Sequence, residues 1–187
     1  VNMYEALTTL DSSGNILPLL ADSWDVSDDT LTYTFHLKSG TKFQDGSPVE
    51  AKDVAYSISR LMSINEGPAY LFEGVLDANS VTALDSSTVQ FKLNKVYTPF
   101  LTNTPIMFVV NSDVAEANKT DSDPWAQDFL ANTSAGAGAY MLDSWARGAS
   151  MTIKKFDDYH LGWNDQSLDE VRFVITNEEA TVKALAA

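Results

Sequence analysis

The sequence predicts a mixed α/β fold. Three observations carry it: paired strand patterns at 24–37, 81–93 and 140–156, one long amphipathic helix at 51–64, and short proline-marked helices between them. In the first pair, residues 24–26 lead through the turn-forming Ser27-Asp28-Asp29-Thr30 into 31–37. There Leu31, Tyr33, Phe35 and Leu37 alternate with Thr32, Thr34 and His36, the period of a strand buried on one face. Ser39-Gly40 and Asp45-Gly46 punctuate short extended pieces around Phe43. The helix at 51–64 places Val54, Ile58 and Leu61 on one face, with Asp53 near its start and Arg60 near its end to suit the dipole.

The second pair runs from Val81 through Asp85-Ser86-Ser87 to Leu93, with Val89, Phe91 and Leu93 on one side. Thr98-Pro99 reads as a cap followed by proline in the first helical position. Residues 106–110 are short, apolar and branched, which predicts a buried strand, and Asp123-Pro124 repeats the cap signal before 125–130. The third pair joins 140–145 to 151–156 across Arg147-Gly148. Residues 171–176 predict a further strand, and Asn177 a cap on a last helix.

Composition narrows the function classes. The 187 residues are 44% hydrophobic and 20% charged, enough for a packed core. With 26 acidic and 12 basic side chains the net charge is −14, which repels phosphate backbones and anionic lipid, so no nucleic-acid partner is expected. The longest apolar run, 106–110, is far short of the ~20 residues of a membrane-spanning helix. The absence of cysteine excludes disulfides, thiolate metal sites and cysteine nucleophiles. The chain opens at Val1 without a basic or apolar leader and stops within a helix-like stretch, so a piece of a longer protein is expected.

Catalytic patterns are scarce. His36 lies on the polar face of its strand, where a solvated side chain is expected, and His160 among Tyr159, Leu161 and Trp163, where a packed one is. Gly136-Ala137-Gly138 starts like a dinucleotide fingerprint, but Met141 stands at the third glycine and a strand follows. Asp11-Ser12-Ser13-Gly14-Asn15 lacks the glycine and glutamate of a calcium loop and reads as a turn. Asp28-Asp29 and Asp157-Asp158 are adjacent carboxylates, which an extended chain points to opposite faces rather than at one bond.

Six blocks in register resemble family 5 extracellular solute-binding proteins, which deliver oligopeptides, dipeptides and nickel to bacterial ABC importers. They are Met3-Tyr4-Glu5-Ala6-Leu7, the run 20–29 containing Ala21-Asp22-Ser23-Trp24, the run 31–54 ending in Ala51-Lys52-Asp53-Val54, Thr98-Pro99-Phe100-Leu101, Gly136-Ala137-Gly138-Ala139-Tyr140 with Trp145, and Asp158-Tyr159 with Leu168-Asp169-Glu170-Val171. The resemblance implies a fold like that of type II periplasmic binding proteins, with a partial lobe one (1–22 and 126–187) and an inserted small α+β domain (23–125).

It further implies a non-enzymatic receptor without a cofactor, located in the periplasm or lipid-anchored at the outer face of the cytoplasmic membrane. Its partners would be a peptide or small-molecule ligand and ABC-transporter permease subunits. Tyr70, just after the long helix, is implied as the ligand-facing aromatic, with Asn103, Thr104 and Met107 around the start of 106–110, and Tyr4, as further ligand-binding residues. Nickel-type members carry an arginine ahead of the segment matched by 106–110, and this chain has no basic residue between Lys95 and Lys119. A sugar or metal-chelate receptor, a secreted carboxylate-dependent hydrolase and a protein-interaction domain stay open as alternatives.

Overall fold

The computed structural model describes residues 2–176. Its centre is an antiparallel sheet in the order β3-β4-β6-β5, built from Ala21–Val26, Thr32–Leu37, Thr88–Lys92 and Val81–Ala83 (β5). A small hairpin of β1 (Thr8–Leu10) and β2 (Ile16–Pro18) precedes it. A second sheet, β7-β8-β9, holds Tyr140–Ala146, Ser150–Lys155 and Glu170–Val174.

The alternation predicted for β4 is realised. Tyr33, Phe35 and Leu37 are buried and face the core, and Phe35 pairs with Trp24 on one side and Val89 on the other. Phe91 meets Phe35 and Phe100 edge-on, with ring centroids 5.4 and 5.5 Å apart, an arrangement that suits the ring quadrupoles. The helix α1 (Ala51–Ile64) lays Val54 and Ile58 over this sheet, against β5 and β6. Asn65 closes it in the left-handed conformation, returning its N–H to the Leu61 carbonyl.

The start of α1 is tied to a second helix. Asp53 is buried, and its Oδ2 accepts the Glu50 N–H at 2.8 Å. Its Oδ1 accepts the Ser112 N–H and hydroxyl at 3.0 and 2.6 Å, at the first turn of α3 (Ser112–Asn118). Burial pushes the Asp53 carboxyl up, and those donors hold it down.

Three predicted elements differ. Residues 106–110 are not a strand: Ile106 ends a 3₁₀ turn (Thr104–Ile106), and 107–110 are extended without a ladder. The amides of 109–111 go to three separate places, Val109 N–H to the Glu5 carbonyl, Val110 N–H to Ser57 Oγ and Asn111 N–H to the Ala135 carbonyl. The helix after Thr98 begins one residue late, as α2 (Phe100–Asn103), with Pro99 at the cap. The one after Pro124 is shortened to α4 (Gln127–Leu130), because Ala126 takes a positive φ of 50°, yet Asp123 caps it from outside by accepting the Gln127 and Asp128 N–H groups. The predicted helix capped by Asn177 lies outside the described residues.

Residues 2–7 thread between the segment at 107–111 and the loop at 135–140. Val109 N–H reaches the Glu5 carbonyl, Gly138 N–H the Met3 carbonyl and Tyr140 N–H the Asn2 carbonyl. The two backbones come so close because residues 136 and 138 lack a side chain. A Cβ on Gly138 would lie 2.5 Å from the Asn2 carbonyl oxygen, and one on Gly136 would overlap the Met3 carbonyl oxygen. So Gly136-Ala137-Gly138 is a backbone-packing device. Gln44 Nε2 fastens the same crossing by donating to the Met3, Gly138 and Tyr140 carbonyls at 3.0, 3.1 and 2.8 Å.

Candidate functional site

This threading puts Tyr4 on a cavity of about 560 Å³. Ser57, Arg60 and Leu61 of α1 form one wall, and Pro68 stands at its end. Ile106, Phe108 and Val110 form the second wall, and α4 with Ala131 the third. The volume falls in the range of small-ligand sites, roughly 300–1,000 Å³. Extended backbone sends alternate side chains to opposite sides, so Ile106, Phe108 and Val110 face the cavity while Met107 and Val109 fill the core.

Two hydroxyls on the wall are already engaged, and Arg60 Nε donates to the Trp125 carbonyl at 2.9 Å. Ser57 Oγ donates to the Asp53 carbonyl and accepts the Val110 N–H. The Tyr4 hydroxyl donates to the Thr133 carbonyl at 3.4 Å and accepts the Ala135 N–H at 3.2 Å. Burial pushes the Tyr4 phenol up, against the Ala135 N–H and the positive field of Arg60.

The residues singled out in the sequence divide three ways. Tyr4 lines the cavity. Tyr70 sits in the 3₁₀ helix Gly67–Phe72, two residues after the cavity-lining Pro68, and is 70% exposed without lining the cavity itself. Asn103 is half-buried and donates to the Tyr97 hydroxyl at 2.9 Å. Thr104 and Met107 are only 1% and 2% exposed, the former bonded to the Thr8 hydroxyl and the Leu101 carbonyl, the latter in the core. The structure thus does not bring the five together around one space. Arg60, Phe108 and Asp128 line the cavity and are absent from the residues the sequence singles out. The helix dipole alone accounts for Arg60 in the sequence, and the parity of 106–110 is the signal that points to Phe108 in place of Met107.

Beside Tyr4, Glu5 is a buried carboxylate. Tyr159 donates its hydroxyl to Glu5 Oε1 at 2.5 Å, and His160 Nε2 lies 2.7 Å from Oε2. The His160 and Glu5 side chains are 5% and 6% exposed, so His160 is packed as its neighbours suggested. Its Nδ1 has no partner among the described residues. His36 is half-exposed and pairs with Asp25 at 2.9 Å. The Asp11 and Asp29 carboxylates each bind amides of their own turns, as turn residues do.

Burial and the Glu5 carboxylate together push the Tyr159 phenol well above its ordinary 10.0. A folded-state value above the unfolded one stabilises fully below pH 10.0, and that stability drains away as pH rises past it. Unfolding free energy should therefore fall above pH 10.0, and Tyr159→Phe should make that fall shallower. Tyr4, Tyr33 and Tyr56 are raised too, so part of the slope remains. Urea titrations on either side of that pH measure it, and an unchanged slope would contradict the assignment.

A sheet backed by a helix, a second three-stranded sheet, a crossing of distant segments and a cavity beside it make a mixed α/β scaffold with room for a small ligand. The chain belongs to the bacterial extracellular solute-binding proteins, family 5, whose pattern it matches over residues 15–187. It is 35% identical over 164 residues to the probable D,D-dipeptide-binding periplasmic protein DdpA of Escherichia coli, covering 87% of this chain and 30% of that one. It is 30% identical over 198 residues to the dipeptide-binding protein DppE of Bacillus subtilis, covering 96% and 35%. The chain thus spans about a third of the length of these relatives.

Among solved structures, the periplasmic binding protein DppA of Helicobacter pylori in complex with the peptide STSA matches with a TM-score of 0.77 and 29% identity, over 99% of this chain and 39% of that one. NikZ of Campylobacter jejuni in complex with Ni(L-His) matches with a TM-score of 0.84 over 99% and 36%. At 22% identity that likeness shows the fold alone. The fold is that of part of a lobe of a type II periplasmic binding protein. The named relatives are binding proteins, and no helix among the described residues is long and apolar enough to cross a membrane.

Proposed function

We propose that this chain is part of the substrate-binding component of an ABC importer, capturing peptides or a similar small solute outside the cytoplasmic membrane. The observation that carries this is the likeness to the peptide-bound Helicobacter pylori protein across nearly the whole chain. Residues 1–22 and 126–187 would be a partial lobe one and 23–125 the inserted small domain. Tyr70 and Tyr4 would face the ligand, with Asn103 at the margin and Thr104 and Met107 shaping the site from behind. The protein binds and hands over its solute without chemistry, needs no cofactor, meets permease subunits and no nucleic acid, and is periplasmic or lipid-anchored.

Capture works through closure of two lobes, and the ligand favours the closed state by the difference of its affinities for open and closed. Buried peptide groups left unpaired would cost ~1–3 kcal/mol each, so the closed cleft must supply partners. Calorimetry of the full-length protein with short peptides tests the proposal. Heat of binding with at least one peptide is expected, and Tyr70→Ala should weaken it. Binding of a sugar or a nickel–histidine complex, with no peptide bound, would overturn it.

A further inference from the structure

A second cavity, of about 490 Å³, lies on the other side of α1 from the one at Tyr4. Tyr56 and Ser59 line it, and the helical turn points them away from Ser57, Arg60 and Leu61. The edge strand β5 adds Thr82, the loop before it Asn79, α3 Glu116 and the segment ahead of α4 Trp125. The Tyr56 and Trp125 rings meet with centroids 5.6 Å apart and planes tilted by 58°. Arg60 pins the Trp125 backbone from behind through its carbonyl. The Tyr56 hydroxyl is buried without a partner among the described residues, so this ring offers the cavity carbon surface. Unspent hydrogen bonding beside aromatic surface sets this place apart. Ser59 Oγ, the Asn79 side-chain amide, Thr82 Oγ and Trp125 Nε1 bond to no described residue. Asn79 and Thr82 are exposed, Ser59 and Trp125 half-buried. In the cavity at Tyr4 both hydroxyls are engaged. In a cavity at Trp145, Arg147 lies 4.2 Å over the indole, and Asn132 and Ser134 are taken by Arg147 and the Leu142 N–H.

We propose that this outer cavity binds a neutral saccharide, with one sugar ring against Trp125 and Tyr56 and its hydroxyls bonded to Ser59, Asn79, Thr82 and Glu116. A pyranose carries a face of C–H bonds and a belt of hydroxyls. The C–H hydrogens are slightly positive and are drawn to the negative face of an aromatic ring. Each hydroxyl is both donor and acceptor, so it needs the mixed set of groups that stands free here. The other ligand classes fit less well. A cation would have to displace Lys119, which already pairs with Glu116. An anion would meet the negative field that Glu116 and Asp123 set up around Tyr56. An apolar ligand would strip water from the free polar groups and give them nothing in return. The cavity is separate from the one at Tyr4, so the inference goes beyond the proposed function and stands whether or not a peptide binds.

The test uses the full-length protein with maltotriose, cellotriose and triacetylchitotriose as neutral probes, and trigalacturonate and spermidine as charged ones. Saturation-transfer NMR reads which probe protons touch the protein, and calorimetry reads the affinity. At least one neutral trisaccharide should bind, with the strongest transfer to the C–H protons of one ring face, and neither charged probe should bind. Trp125→Ala should weaken that binding about tenfold or more. Thr82→Val keeps the shape of an exposed side chain that makes no bond within the chain, so it folds normally. It should weaken binding about threefold, the worth of one neutral hydrogen bond, and it decides the matter if Trp125→Ala does not fold. Tyr70→Ala should leave saccharide affinity unchanged. Binding of no neutral trisaccharide, tighter binding of a charged probe, or an affinity unaltered in Thr82→Val overturns the inference. So does saccharide binding that Tyr70→Ala weakens, which would place the sugar in the peptide cleft. Calorimetry with peptides decides the proposed function separately in every case.

Discussion

Glu5→Ala is expected to destabilise the protein by about 3–5 kcal/mol, the range seen when one partner of a buried polar pair is removed. The alanine would strand the Tyr159 hydroxyl and His160 Nε2 in a space the side chains fill, and His160 Nδ1 already lacks a partner among the described residues. Each stranded group costs ~1–3 kcal/mol. Glu5→Gln keeps an acceptor for one of the two and should lose about half as much. Urea unfolding followed by tryptophan fluorescence measures both, since Trp163 packs on Tyr159 with ring centroids 5.6 Å apart. A loss below ~1 kcal/mol for alanine would mean that water replaces the carboxylate and that the cluster adds nothing to the fold.

Gly136→Ala is the second large effect. The new methyl group would overlap the Met3 carbonyl oxygen and lie 2.7 Å from Tyr4 Cδ1. Backbone on one side and a ring held at its hydroxyl on the other leave little room to give, so a cost of about 3 kcal/mol or more is expected. The displaced ring should also distort the cavity wall, weakening ligand binding in the full-length protein. Gly148→Ala is the control. A Cβ there meets nothing within 4 Å, and only its φ of 75° is unfavourable, at about 1–2 kcal/mol. Thermal melts of the pair separate collision from backbone preference. Equal shifts would refute the crossing as the reason for Gly136.

Local periodicity accounts for the parts of the fold that could be foreseen. Helix α1 spans the predicted 51–64, and the buried face of β4 is the predicted one, because each is decided by spacing within a dozen residues. Turn chemistry is equally legible at Ser27-Asp28-Asp29-Thr30, where Ser27 and Asp29 bind the adjoining amides. The features that escape a sequence reading depend on distant partners. An apolar run at 106–110 looks like a strand whatever lies beside it, and only the fold decides that the amides of 109–111 go to Glu5, Ser57 and Ala135. Glu5 itself is a charged residue in an apolar stretch, and its burial depends on Tyr159 and His160 far along the chain. Of the five residues the family resemblance implies, Tyr4 lines the cavity and Tyr70 stands two residues beyond Pro68, which lines it. It leaves out Arg60 and Asp128, which line the cavity from two helices with no shared pattern.

The Glu5 cluster also sets a timetable. Tyr4 finds its partners 129 and 131 positions away, and Glu5 finds its own at 154 and 155. A ribosome adding roughly 5–20 residues per second needs on the order of ten seconds to make that much chain. Through that interval the carboxylate stays in water, while α1 and its hairpins, whose contacts are closer in sequence, are free to pack first. The cavity is therefore among the last parts to take shape. Slowing translation near Tyr159 should lengthen the period in which residues 2–7 are open to proteolysis without changing the finished fold, and pulse-chase digestion would time it.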